Sequence, residues 1–401
     1  MKNYKKIYAA FILAGGLILH GCNGIFDDLS INPNQPSMGA YFTSPSAVND
    51  AVMTMYGYMS TQRCLGASGS KTTIIRSDEA SSNSDYGKPG MFGADLNASY
   101  YTIEQPYTLM YTTASQASYI IETAPSVDFS GNEELRNAYM GEAYFWRAFA
   151  HYYLLINFRN ISPIRQMPRN GDDYVRPLEK PAAVWNFIQE DLAHAKELLP
   201  VKGYWDSKNA GRVTKASAAA LLGKAYLYRS GIEQYYGEDK TTFYSEAAKE
   251  FGDVIDGKYG TYDLTKNYAD NFDVAHENNE ESILEFQFLG DVDNAGFNPG
   301  LATSGLAFDS RGLMLPGAGV GYEGVVHNWL YNAFVNSIDK DGYTDIRMFS
   351  TMIFNDLDAS IHLRNDAGGN PVRLEGPGGY KWEVFFFLMI RRPPRSTLFP
   401  Y

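Results

Sequence analysis

Two stretches of this 401-residue chain interleave flat aromatic rings with hydrogen-bonding side chains. The first runs from Arg76, Ser77 and Asp78 through Asn83, Asp85, Tyr86 and Lys88 to Phe92; the second carries Phe297, Asn298, Phe308, Asp309, Arg311 and Tyr322. Sugar rings present apolar C–H faces that stack on aromatic side chains, while their hydroxyls exchange hydrogen bonds with Asp, Asn and Arg. Asp78, Asn83, Tyr86, Phe92, Asn298, Arg311 and Tyr322 are therefore the candidate ligand-binding residues. Phe92, Phe297 and Phe308 serve equally well as loop-borne caps on a core, whereas Tyr86 and Tyr322 sit among Gly and polar residues and are expected at the surface. Neither stretch contains tryptophan, the strongest stacking residue.

Catalytic and metal chemistry find weaker footing. His151, His194, His276, His327 and His362 are scattered, with no His-Glu-x-x-His or Cys-x-x-Cys spacing to hold zinc. His151, in an apolar-rich run, is expected to be a satisfied core histidine. Ser68-Gly69-Ser70-Lys71 fits Ser-x-x-Lys without the companion motifs of penicillin-recognising enzymes. Asp291-Val292-Asp293-Asn294 and Asp339-Lys340-Asp341-Gly342 open like calcium loops but reach Ala302 and Ser350 where a bidentate carboxylate belongs, so both are expected to be turns. The pairs Asp78-Glu79, Asp172-Asp173 and Glu280-Glu281 leave glycoside hydrolysis open, since neighbours in sequence need not face each other across a cleft. No cofactor or metal is expected.

Cys22 carries a different chemistry. Lys2, Lys5 and Lys6 precede an apolar run, Ile7 to Leu19, that is too short to span a bilayer but suits a signal peptide, and small Gly21 stands before Cys22. Residues 1–21 are expected to be a lipoprotein leader, with Cys22 the lipidated residue; ordinary secretory cleavage is the alternative. The other cysteine, Cys64, is expected to be a packed thiol. A formal net charge of −12, with no basic stripe, makes nucleic acid a poor partner.

Helices must position these groups. Residues 22–44, rich in Asn, Pro and Ser, read as a tether. The apolar spacing predicts helices over Ser46–Tyr58, capped by Ser46, and over Tyr107–Glu122, Glu133–Asn157, Pro181–Leu199, Thr214–Tyr228 and Phe243–Ile255. Tyr139, Ala143, Trp146, Ala150, Tyr153 and Leu154 mark the clearest of them. Small residues alternate with aromatic ones around Gly141 and Gly223, as in degenerate tetratricopeptide units whose helices nest closely. Ile283 to Phe288 alternates like a strand, and Gly290 to Gly324 reads as a long loop.

Several blocks together resemble the SusD/RagB family: Asn32-Pro33-Asn34-Gln35-Pro36; Gly141-Glu142-Ala143-Tyr144-Phe145-Trp146-Arg147-Ala148; Gly211-Arg212-Val213-Thr214-Lys215-Ala216-Ser217-Ala218-Ala219; and Asn267-Tyr268-Ala269-Asp270-Asn271-Phe272 followed by Asn278-Asn279-Glu280-Glu281-Ser282-Ile283. Asp345-Ile346-Arg347 matches the family's Asp-Pro-Arg loosely. The resemblance implies a mainly α fold of tetratricopeptide-like helix pairs with long irregular loops and few short strands. It also implies a surface-facing, outer-membrane lipoprotein of Bacteroidetes-type bacteria without catalytic activity. Such a protein captures a nutrient, commonly an oligosaccharide, and delivers it to a SusC-like TonB-dependent transporter. A helical-repeat scaffold lipoprotein of envelope assembly is the alternative reading, and a lipoprotein glycoside hydrolase a third.

The expected organisation is a leader over 1–21, a tether over 22–44, a helical half over 45–260 and an incomplete, loop-rich second half over 261–384. Residues 385–401 put Phe385-Phe386-Phe387 and Arg391, Arg392 and Arg395 on an acidic chain, and resemble translated sequencing-adaptor read-through.

Overall fold

In the computed structural model the described residues are 42–61, 64–65, 76–81, 98–167, 175–237, 239–272, 274–287, 325–345 and 347–351. The leader, Cys22, most of the tether and the 385–401 tail lie outside them.

Six helices build the body: α1 (Pro45–Ser60), α2 (Tyr101–Thr123), α3 (Glu133–Phe158), α4 (Pro181–Leu198), α5 (Lys215–Tyr236) and α6 (Tyr244–Ile255). Each packs on the next in sequence, and α1 also reaches α3, so the architecture is mainly α with interacting helix pairs. Two two-residue strands, β1 (Ala80–Ser81) and β2 (Val325–Val326), pair antiparallel, and a further helix, α7 (Asn328–Asn336), follows β2.

The helix boundaries depart from the apolar spacing where local chemistry overrides it. α1 starts at Pro45, whose missing N–H costs nothing in a first turn, and its cap is Ser44, not Ser46; the Ser44 hydroxyl accepts from Ala47 N at 3.3 Å. α2 begins at Tyr101 and carries Pro106 inside it, where the sequence pattern suggested a start at Tyr107. α5 continues past Tyr228 to Tyr236 because Arg229 and Glu233 are committed to neighbouring elements, and Gly237 in the left-handed region then closes it. The described part of the strand-like run, Ile283 to Gln287, is not a strand. Its alternation is nevertheless used: Leu284 and Phe286 pack on the helical core, with the Phe286 ring 5.8 Å from that of Trp146, and Ile283 O accepts from Ser217 Oγ.

α3 is the centre of the body. Trp146, Phe145, Ala143, Ala150 and Leu154 are buried, and burial extends to Glu142, Arg147 and His151, whose polar groups need partners inside. Arg147 donates Nε and Nη2 to Asp191 of α4 at 2.7 and 2.7 Å, and Nη1 to Arg165 O at 2.9 Å. His151 is the satisfied core histidine expected: Nδ1 lies 2.8 Å from Arg147 O, and Nε2 accepts from Ile164 N at 2.9 Å. Burial holds its pKa down at about 3, so the ring is neutral and Nδ1 carries the proton. Further along, Arg159 pairs with Glu233 of α5, Lys196 of α4 with Glu250 of α6, and Arg229 of α5 with Asn186 and Gln189 of α4. Cys64 is buried, and burial pushes its thiol up to about 12, consistent with an inert packed group.

The small positions do what close nesting requires. A Cβ at Gly141 would lie 2.9 Å from the backbone nitrogen of Leu199, and one at Gly223 would lie 2.8 Å from the Phe251 ring. Gly57, in α1, faces open space. Gly141→Ala is therefore expected to destabilise by about 1–3 kcal/mol, because backbone must move. Gly57→Ala should stabilise by roughly 0.5–1 kcal/mol through helix propensity. Urea denaturation of both variants measures the contrast.

Candidate functional site

The two aromatic stretches meet at their roots. Ala80 pairs with Val326 and Ser81 with Val325, so the chain entering the first stretch lies against the chain leaving the second. The pairing continues outward from the strands. Glu79 O accepts from His327 N at 2.9 Å, Glu79 N donates to Ser77 Oγ at 3.1 Å, and the Trp329 indole N–H donates to Asp78 O. Trp329 stands in the first turn of α7, 46 % exposed: its N–H is fixed while much of its ring is open to solvent. Such a ring is a rigid stacking platform.

Of the candidate residues, Asp78 is exposed at this root. Asn83, Tyr86, Phe92, Asn298, Arg311 and Tyr322 lie outside the described residues, as does Cys22. Trp329 was passed over in sequence because it falls beyond Gly324, where the Gly-rich stretch ends. Its signal was its place, a few residues past the second aromatic run, rather than any motif.

The acids fall into two groups. Burial raises the Glu142 and Asp191 carboxyls, but each is closed inside the body against an arginine, Arg212 and Arg147 respectively. The nearer-surface acids go the other way. Glu281 accepts from Asn271 Nδ2 at 2.9 Å and from Thr265 N and Oγ1 at 3.1 and 3.1 Å, and these bonds hold its carboxyl low. Asp345 is held low by Arg347, which donates Nη2 at 2.5 Å. A glycosidase general acid needs a raised pKa and access to a cleft, and none of these four carboxyls combines the two. Asp339 is a turn residue, as expected: its Oδ1 accepts from Asp341 N at 2.9 Å and Tyr343 N at 3.0 Å. Among the described residues no three His, Cys, Asp or Glu side chains gather in a way that could hold a metal ion. Among them, too, no helix is long and apolar enough to cross a membrane.

Trp329→Phe keeps the ring and deletes the N–H bonded to Asp78 O. Hydrogen exchange at the His327 amide, which bonds Glu79 O, is expected to speed up by roughly threefold to tenfold, the worth of one neutral hydrogen bond. Unchanged exchange would show that the root does not depend on the indole.

Residues 28–227 match a SusD-like family model described as "Starch-binding associating with outer membrane". A SusD-like protein of Bacteroides ovatus is 25% identical over 293 residues, spanning 72% of this chain and 51% of that protein. A SusD-like protein of Formosa agariphila is 26% identical over 305 residues, covering 74% and 55%. The chain thus spans about half the length of the curated relatives it matches. Among solved structures, a SusD superfamily protein of Bacteroides vulgatus superposes with a TM-score of 0.60 at 22% identity, over 77% of this chain and 61% of the other. A laminarin-binding SusD-like protein gives a TM-score of 0.57 at 22% identity, over 73% and 64%. At this identity the structural likeness establishes the fold.

Proposed function

This chain belongs to the SusD-like family, and on that premise we propose that it is a non-catalytic, glycan-binding lipoprotein. Anchored through Cys22 to the outer membrane and facing the cell exterior, it captures a neutral oligosaccharide and hands it to a SusC-like TonB-dependent transporter. The observation that carries this reading is the β1–β2 pairing. It joins residues 80–81, within the first aromatic stretch, to residues 325–326, just past the second, which favours reading the two stretches together. Trp329 supplies at the root the tryptophan that neither stretch contains.

Three further facts support it. The family model carries a starch-binding description and a structural relative is named for laminarin binding, which puts neutral glucans first among ligands to try. The chain's net charge of −12 disfavours acidic ligands. The described acids with raised pKa are sealed in ion pairs, which favours capture over cleavage.

A tethered body stays beside its partner at high effective concentration, which is the physical reason to lipidate a binding protein. Gentle detergent extraction of native membranes followed by affinity capture of the full chain is expected to recover a TonB-dependent transporter in near-equal amount, and Cys22→Ser should move the chain to the soluble fraction. Capture of the membrane-bound chain without any such transporter would overturn the proposed hand-over.

A further inference from the structure

A concave surface lies on the helical body, where the ends of α3 and α5 meet the start of α6. It is a cleft of about 630 Å³, within the range of ligand pockets. Leu155 and Ile156 of α3 and Leu227 and Ile232 of α5 give it an apolar lining, and Tyr228, Tyr235, Tyr236 and Tyr244 surround that lining with phenol rings. Tyr235 is 84 % exposed, Tyr236 58 % and Tyr244 47 %, although each has buried neighbours on its own helix. Three of these rings are held by neighbours. Tyr235 and Tyr236 meet edge to face at 5.2 Å, Tyr228 packs at 5.8 Å on Tyr152, and Tyr236 lies under the Arg159 guanidinium at 4.2 Å.

Arg159 sets the electrostatics. It caps α3 with φ 60°, a left-handed value that strains a non-glycine residue and is retained where surrounding contacts demand it. Its Nη1 and Nη2 donate to the two carboxylate oxygens of Glu233 at 2.7 and 2.7 Å, and the Trp185 indole N–H donates to the same carboxylate at 2.7 Å. Among the described residues that line the cleft Arg159 is the charged one, and Glu233 behind it offsets that charge, with the Lys224 ammonium 5.5 Å from the Tyr228 ring centroid; the cleft thus offers ring faces, phenol hydroxyls and the Asn157 amide, which favours a ligand without net charge. A groove for an amphipathic helix would be lined by aliphatic side chains with charged rims; rigid, polar-tipped rings favour the C–H faces and hydroxyls of a saccharide.

We propose that this tyrosine cleft is a second saccharide site, separate from the loop surface, which takes a short stretch of a neutral glycan. The inference rests on the reading of the chain as a glycan binder. A second, helix-borne site would let the protein hold a long chain at two points and raise its avidity without new contacts at the first.

Hydrogen-exchange mass spectrometry of the full chain with maltohexaose and, separately, laminarihexaose reads both sites at once. With at least one probe, residues 155–159 and 227–244 are expected to gain protection. Tyr235→Ala with Tyr244→Ala, two exposed positions whose loss leaves the core intact, should weaken that protection, raising the half-saturation concentration roughly tenfold. Residues 76–81 and 325–330 should respond as in the unaltered chain. Protection at the loop roots alone overturns the cleft and leaves the loop surface standing. Protection at the cleft alone supports it and overturns the loop reading, and protection at neither overturns both. Cleft protection indifferent to the two substitutions would also overturn the tyrosine site.

Discussion

The body depends on one buried ion pair, Glu142 with Arg212. Glu142 is wholly buried on α3, and Arg212, in the lead-in to α5, is nearly so. Arg212 donates Nε at 2.9 Å and Nη2 at 2.5 Å to the carboxylate, while Tyr56 of α1 donates its hydroxyl to the same carboxylate at 2.7 Å. The remaining Arg212 donor group, Nη1, reaches Asn49 at 2.8 Å and Asn209 at 3.0 Å, and the guanidinium lies 4.3 Å from the Trp205 ring centroid and 5.0 Å from that of Tyr139. Burial pushes the Glu142 carboxyl up, and the Arg212 guanidinium and the Tyr56 hydroxyl pull it back down. Removing one partner of such a pair costs about 3–5 kcal/mol, because the other charge is stranded. Since the partners come from α1, α3 and the α4–α5 connection, the network fixes how three parts of the chain sit together.

Its reach explains why the family-like blocks occur together. Tyr56 also accepts from Val213 N at 2.8 Å, holding the strand-like lead-in to α5. Gly211 beside Arg212 adopts φ +79, and a Cβ there would stand 2.5 Å from Glu285 O, so glycine is required for the 283–287 segment to lie across this site. That segment in turn seats Phe286 against Trp146. The Gly141 block, the Gly211 block and the Glu281 to Gln287 region are thus consecutive parts of one packing arrangement, far apart in sequence and adjacent in space.

What was legible in sequence follows physical lines. The helices were visible because their apolar and small residues repeat with the helical period, and Gly141 and Gly223 announced close approach. Boundaries were less so, since Ser44, Pro106 and the extension to Tyr236 depend on caps and on partners such as Glu233 that no local pattern reveals. The alternation of Ile283 to Gln287 told which side chains turn inward but not that helices, rather than strands, would receive them. Composition singled out the loop candidates, of which Asp78 alone is described; the β1–β2 link beside it depends on a pairing between residues about 245 positions apart, which a single sequence does not encode locally. The tyrosine cleft was hidden for another reason: abundant Tyr suits helix packing and ligand stacking alike, and only exposure separates Tyr235 from Tyr152.

In the proposed role a rigid helical frame presents aromatic surfaces that hold a neutral glycan without cleaving it. Isothermal titration of the full chain with starch- and laminarin-derived oligosaccharides, paired with product analysis of each titrated sample, tests this most directly. Saturable binding of at least one of them is expected, weakened roughly tenfold when Tyr86→Ala and Tyr322→Ala are combined, with every oligosaccharide recovered at its original length. Shortened products, or affinity indifferent to the two tyrosines, would contradict it.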